Sequence, residues 1–257
     1  MKKITLIAAL AASCLYGTAQ TKIGVGLGVN SFRSEFQGLM SLPRNPVITP
    51  SLHVLLQTPI STNFSLIYGA GYLVKGSKAD YKWYNTFQEF HASGPDGGAY
   101  LKYTSDTYSK DYYNYVEVPV SLNYQAGAVG IQAGGYAALF VGGKHKYHLK
   151  SEVINGPAGT YPVYSDIKGE SNINPGNSQN IQGNGEDKLR QFDFGVQVGA
   201  SVKLYKGFTL FGQYSRSVKN NLPNFTINNG SGAKSPYAMY QSGFSLRLVY
   251  LFGGRED

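Results

Sequence analysis

Cysteine is almost missing from this 257-residue chain: Cys14 is the only one. Charge is sparse too, at 15% of residues, against the quarter or so usual in soluble domains. Beyond the first twenty residues no apolar run approaches the roughly 20 needed for a spanning helix. These absences exclude a disulfide scaffold, thiol chemistry in the chain that remains after Cys14, and a bundle of membrane helices. What is abundant is glycine, with 32 residues, and tyrosine, with 21. Low charge with much Gly and Tyr fits an all-β architecture and does not fit a helical enzyme.

The first nineteen residues read as a cleaved secretory signal. Lys2 and Lys3 form the positive start, Ile4 to Ser13 the apolar stretch, and Gly17-Thr18-Ala19 supplies small residues before Gln20. A lipoprotein signal would lipidate Cys14 in "LAASC", but Ala11 stands where such signals carry a branched aliphatic. The predicted mature domain is therefore 20–257. Loss of Lys2 and Lys3 takes the net charge from +8 to +6. In an exported chain that balance implies attraction to acidic lipid or saccharide and no nucleic-acid partner.

Period-2 alternation recurs along the rest. In "YVEVPVSLNY", Val116, Val118, Val120, Leu122 and Tyr124 fall on one face, and Tyr115, Glu117, Pro119, Ser121 and Asn123 on the other. "KIGVGLGVNSF", "PSLHVLLQ", "FSLIYGAGYLVK", "AVGIQAGGYAALFVG", "FDFGVQVGASVKL", "FTLFGQYS" and "YQSGFSLRLVYLF" behave alike. The expectation is eight strands of roughly 10 to 13 residues, a length suited to a tilted bilayer crossing. "TPISTN", "QAG" and "YKG" join strands by short turns. The stretches near 31–47, 76–112, 143–188 and 218–235 read as long polar loops. Short turns at one end and long loops at the other are the pattern of an outer-membrane barrel.

A soluble sandwich or lipocalin-like barrel would turn the apolar face inward, a membrane barrel outward to lipid. The second reading is favoured because the opposite face is small: Gly24, Gly26, Gly28, Gly69, Gly71, Gly195 and Gly199. A solvated face would carry Lys, Glu and Thr instead. Phe64, Tyr124, Phe208, Tyr250 and Phe252 fall at the short-turn end like an interfacial girdle, with Tyr72, Phe192, Tyr214 and Tyr240 toward the other.

Three stretches carry a family resemblance: "YVEVPVSLNY", "GGYAALFVGGK" (134–144), and "FDFGVQVGASV" (192–202) followed by an aromatic-rich strand ending "QYSRSVKN". Together they resemble the PorT-type family of small outer-membrane β-barrels, over about 21–252. The resemblance implies an eight-stranded barrel with both termini in the periplasm. By the family's name alone it implies a part in a protein-secretion apparatus. The long third loop and the "GGRED" tail depart from the pattern.

No motif points to catalysis or a cofactor. "GVGLGV" lacks the helix and downstream acid of a dinucleotide site. His145 and His148 in "HKYH" are flanked by Lys144 and Lys146, which would repel a metal. Asp80, His91, Asp96, Asp106 and Asp111 share one loop region without a spacing that assembles an active site. "YKWYNTF" and "KYTSDTYSKDYYNY" suit either recognition or loop self-packing.

Inside a narrow barrel Glu117 needs a cation. Lys75 is the first candidate and Arg247 the second. Asp193 would take Arg190 or Arg247, and His53 points to the same lumen. The sequence thus predicts an all-β, eight-stranded antiparallel transmembrane β-barrel of a Gram-negative outer membrane, with short periplasmic turns and long extracellular loops. It would be a monomer in outer-membrane lipid, with no cofactor, no metal and no catalytic residue. A lumenal polar network of Glu117, Lys75, Asp193, Arg247 and His53 would stabilise it, and its loops would meet a protein or glycan partner. A narrow solute channel and a loop-borne enzyme remain alternatives. At Pro119, which cannot donate to a ladder, a bulge or a lumenal water is expected.

Overall fold

The computed structural model describes residues 21–37, 44–88, 100–155, 165–174, 190–221, 226–228, 234–236 and 238–252. The signal stretch 1–19 with Cys14, His91 and Asp96, and the tail after Phe252 lie outside these.

The strands are β1 (Lys22–Gln37), β2 (Asn45–Pro59), β3 (Phe64–Gln88), β4 (Tyr100–Ala126), β5 (Val129–Asn155), β6 (Ser165–Ile173), β7 (Phe192–Lys203), β8 (Phe208–Ser217), the small β9 (Thr226–Asn228) and β10 (Lys234–Pro236), and β11 (Ala238–Phe252). The main sheet runs β4-β3-β2-β1-β11-β8-β7-β5-β6, and β4 also pairs β5. That last pairing closes a ring of eight antiparallel strands and leaves β6 outside it. β5 serves two partners in succession: Val129–Leu139 pairs with β7, and Gly143–Ser151 with β6. Closure leaves the wall without a free edge, as a spanning sheet requires.

The alternation falls as the sequence predicts. Val116, Val118, Val120, Leu122 and Tyr124 are 38–49% exposed, whereas Tyr115, Glu117, Ser121 and Asn123 are buried. The same outward apolar band appears on β1 (Ile23, Val25, Leu27, Val29), β7 (Phe192, Phe194, Val196, Val198) and β11 (Phe244, Leu246, Leu248). In water such a belt would drive aggregation; in a bilayer it is the solvated surface.

The turns at 60–63, 127–128 and 204–207 lie at one end, together with Lys22 and Phe252. Lys206 (φ 50°) and Gly207 (φ 82°) adopt the left-handed conformation that the last of these requires. Phe64 and Tyr124 meet there with ring centroids 5.0 Å apart, and Tyr250 lies 4.9 Å from Phe208 and 4.7 Å from Phe252. This end carries the periplasmic aromatic girdle.

Two expectations need correction. First, β3, β4 and β5 run 25, 27 and 27 residues, not 10 to 13. Much of what reads as loop continues as strand: β3, β4, β5 and β6 form a four-stranded sheet that rises above the ring. The Gly, Asp and Lys content reads as loop, yet the interleaved Tyr and Thr are strand formers that pair across the hairpin. Second, of the bulge or lumenal water expected at Pro119, the bulge is absent. Its pairing with Tyr136 on β5 is in unbroken register. On the β3 side the pairs Tyr68↔Val120 and Gly71↔Glu117 keep register, with the ladder open between them. The missing N–H is absorbed by that gap. Register shifts do occur elsewhere in the same pair of strands, one at Lys102/Tyr103 and one at Asn114/Tyr115. Tyr115 faces Phe140 and Asn114 faces Gly142, so Val141 is extra and Gly142 takes φ 144°.

Candidate functional site

The lumen is built in layers. Near the periplasmic end Leu55, Ile67, Phe211 and Val249 form an apolar cluster. Above it lies a polar layer. Arg247 on β11 donates to the Gln213 carbonyl, Gln213 donates to Gln197, and Gln197 donates to Ser121 Oγ at 2.6 Å. His53 Nδ1 approaches Arg247 Nη1 at 3.5 Å. Beside this chain, a cavity lined by Pro119, Phe211 and Arg247 measures about 10 Å³, the threshold for one water.

The next layer holds the strongest electrostatics. Lys75 on β3 reaches across the lumen to Asp193 on β7, Nζ to Oδ2 at 2.7 Å, both side chains being 1% exposed. Tyr136 donates to the same Oδ2 at 3.1 Å and accepts from Lys75 at 3.3 Å. Three rings surround the ammonium: Tyr136 at 4.5 Å, Tyr115 at 4.8 Å and Phe32 at 5.4 Å from Nζ to centroid. A dehydrated cation gains from ring faces as well as from its carboxylate. A second apolar cluster that includes Phe32, Leu73, Tyr115, Phe140, Ile173 and Met239 packs around it.

The five residues read from sequence as lumenal are all buried inside the barrel. Their pairing differs from the expectation. Lys75 takes Asp193, not Glu117, and neither Arg190 nor Arg247 pairs with Asp193. Glu117 is buried near both Lys75 and Arg247 and interacts with their charges. Among the described residues no hydrogen bond or ion pair ties it to either. Two cations thus share the interior with two carboxylates. Sequence reasoning missed Tyr136, Gln197 and Gln213; the signal was their inward parity, opposite Ala133, Ala137, Val196 and Val198.

Above the ring a further cluster caps the mouth. Asp111, buried on β4, accepts from Arg44 and lies 2.6 Å from His145 Nδ1. The Arg44 guanidinium covers the Phe36 ring at 4.6 Å. His148 points to the opposite face and contacts Asp166 at 2.7 Å. The two histidines of "HKYH" therefore serve different carboxylates on different faces, and no group of three metal-binding side chains occurs among the described residues.

The wall explains its glycines. A Cβ at Gly69 would sit 2.1 Å from the Val54 carbonyl oxygen, and one at Gly134 2.0 Å from that of Val120. Both face the lumen, where the tightly curved wall crowds each strand against the next.

Comparison with known proteins agrees with this architecture. The model for the outer membrane protein beta-barrel domain matches residues 18–222, most of the chain. Among curated proteins none matches in sequence. Similar solved structures include Ail, the attachment invasion locus protein of Yersinia pestis, in complex with the heparin analogue sucrose octasulfate. It has 10% identity and a TM-score of 0.33, over 89% of this chain and 99% of that one. Neisserial surface protein A is similar at 10% identity and TM-score 0.30, over 89% and 96%. CarO2 of Acinetobacter baumannii is similar at 11% and 0.31, over 89% and 99%. Likenesses this loose transfer no role. The family match, the closed ring of eight strands and the outward apolar band together establish that this chain belongs to the outer-membrane protein β-barrel domain family and resides in the bacterial outer membrane.

Proposed function

We propose that this barrel is a closed membrane anchor that presents the β3–β6 sheet outside the cell as an interaction surface for a partner protein or surface glycan. The observation that carries the reading is the contrast between its two ends. The lumen is filled by two apolar clusters, a glutamine chain and a buried ion pair. The sheet above it extends three strands by a dozen residues or so past the rim. A filled interior serves anchoring better than transport, and a paired sheet holds a surface in fixed geometry, which lowers the entropic cost of binding. The reading includes export by a cleaved signal at 1–19, a monomeric state, no enzymatic activity and no cofactor. It also includes the PorT-type affiliation, supported by the three stretches named above, with a role in protein secretion as one form the interaction would take.

The lumenal five, Glu117, Lys75, Asp193, Arg247 and His53, are proposed as stabilising residues of the anchor. Two measurements test the whole. Planar bilayers with the purified protein should show no steady conductance. A variant with the sheet above the rim replaced by short turns should still insert and migrate as a folded barrel, while losing photocrosslinks that the intact protein forms on cells from position 82 or 150. Steady conductance, or crosslinks that persist from the rim of the shortened form, would sink the reading.

A further inference from the structure

We propose that the outward face of β3, β4 and β5 just above the lipid band is a docking surface for the phosphate groups of outer-leaflet glycolipid, the lipopolysaccharide headgroup. The inference rests on membrane placement and not on what the sheet's far end binds.

Register creates an unusual row. Lys78 on β3 stands opposite Lys110 on β4, and Lys110 opposite Lys146 on β5. Directly opposed side chains on one face lie about 5 Å apart at Cβ, and like charges so placed oppose folding. All three continue the outward-facing parity of the wall: Val74 and Tyr72 lead up to Lys78, and Val116 leads to Lys110. The bulge at Val141 resets β5 so that Lys144 and Lys146 also point outward. Lys144 stands opposite Tyr112, one pleat nearer the membrane.

Neutralisation within the protein is incomplete. Glu170 on β6 serves two cations at once, Lys144 at 2.6 Å and Lys146 at 2.9 Å. Among the described residues the nearby carboxylates do not cancel the row: Asp106 lies 3.4 Å from Lys82, Asp166 is bound to His148, and exposed Asp80, two residues from Lys78 on the same face, has no lysine within 4.0 Å. Lys78 and Lys110 have no carboxylate within 4.0 Å among the described residues. A hydrogen bond to Tyr108 leads the influences that hold the Lys110 ammonium above its ordinary pKa. The row therefore presents fixed positive charge seeking external anions.

Position identifies the anion. Lys110 is six residues above Val116, whose side chain is 40% exposed in the apolar band. At about 3.3 Å per residue that is roughly 20 Å along the strand. A tilt near 40° turns it into roughly 15 Å of height. The Lys144 row lies lower still. Counted from Tyr124 at the lower girdle, an apolar band about 25 Å tall leaves the Lys144 row about 5 Å and the Lys110 row about 10 Å beyond the hydrocarbon, at and just above the glycolipid headgroups. The face looks sideways along the membrane plane, toward neighbouring lipid, and each lysine near an anionic surface adds to the attraction.

The test titrates fluorescent lipopolysaccharide onto the full-length protein in detergent micelles, before and after enzymatic removal of the lipid's phosphates. The wild type should prefer the phosphorylated form. The variant Lys78→Gln/Lys110→Gln/Lys146→Gln should bind it roughly a hundredfold more weakly. A Lys203→Gln/Lys206→Gln control at the periplasmic end should bind as wild type does. Equal wild-type affinity for the two lipids overturns the proposal, as does a folded triple variant that binds like wild type. Complete competition by inorganic phosphate or a soluble sulfated polysaccharide at matched charge also overturns it, because the source would then be a free anion. Should the triple variant lose its heat-modifiable folded band, the wild-type comparison and the competition still decide.

Discussion

Lys75 is the residue on which most of the interior depends. Its ammonium has left water entirely and is held by Asp193, Tyr136 and three ring faces. Removing one member of a buried pair strands the other, at a cost of about 3–5 kcal/mol. Lys75→Met and Asp193→Asn should each lower the temperature at which the folded band disappears on gels. The double variant Lys75→Met/Asp193→Leu should recover much of that loss, since apolar replacement of a whole pair is often neutral. Glu117→Gln should destabilise less, because it removes a balancing charge without breaking a contact; heat stability equal to wild type would remove Glu117 from the network. The inward parity of all five residues was legible in the alternation. The Lys75–Asp193 pair was not: its members lie 118 residues apart on strands that are not neighbours in the wall. Alternation reports which face a side chain takes, not which strand stands across the lumen.

At the scale of the strand, glycine divides into two kinds. Gly69 and Gly134 sit where a Cβ would strike the backbone of the adjacent strand, at 2.1 and 2.0 Å. Gly212, on the outward face, would meet nothing within 4 Å. Gly69→Ala should therefore cost about 1–3 kcal/mol through forced backbone displacement, whereas Gly212→Ala should leave stability unchanged or slightly raised. Urea unfolding of the detergent-solubilised variants distinguishes them, and equal effects would refute the crowding argument. The membrane portions of the strands were readable because lipid imposes a strict apolar period on them. The upper halves of β3, β4 and β5 were not, because above the membrane no single-sided apolar demand marks the pleat. There the sequence shows only turn-like composition, and pairing between strands decides the structure.

For the whole molecule, barrel closure sets the observable behaviour. A ring with no free edge unfolds slowly and as one unit, so the unheated protein should run faster on denaturing gels than the boiled one, in the outer-membrane fraction. Recovery in the soluble periplasm without a mobility shift would contradict the fold. The filled lumen predicts bilayers silent to conductance. Widening it by Phe32→Ala with Phe140→Ala, both at most 2% exposed, should destabilise the barrel before it yields any steady current. Eight strands were countable from the sequence; the position of β6 outside the ring was not, since it depends on β5 exchanging one partner for another partway along its length.

That exchange occurs beside the extra residue at Val141. Below it, odd-numbered residues of β5 face the lipid; above it, even-numbered ones do. The projecting sheet is thus phased separately from its foundation, like a mast stepped into a deck. Matched two-residue insertions in β3, β4 and β5 would raise the mast by whole pleats and leave every lipid contact untouched. Deleting Val141 alone would rotate the mast's β5 by half a period, turning Lys144 and Lys146 inward and Tyr147 outward. The height of what this barrel displays can therefore change by whole pleats while the phase of its lipid-facing wall stays fixed.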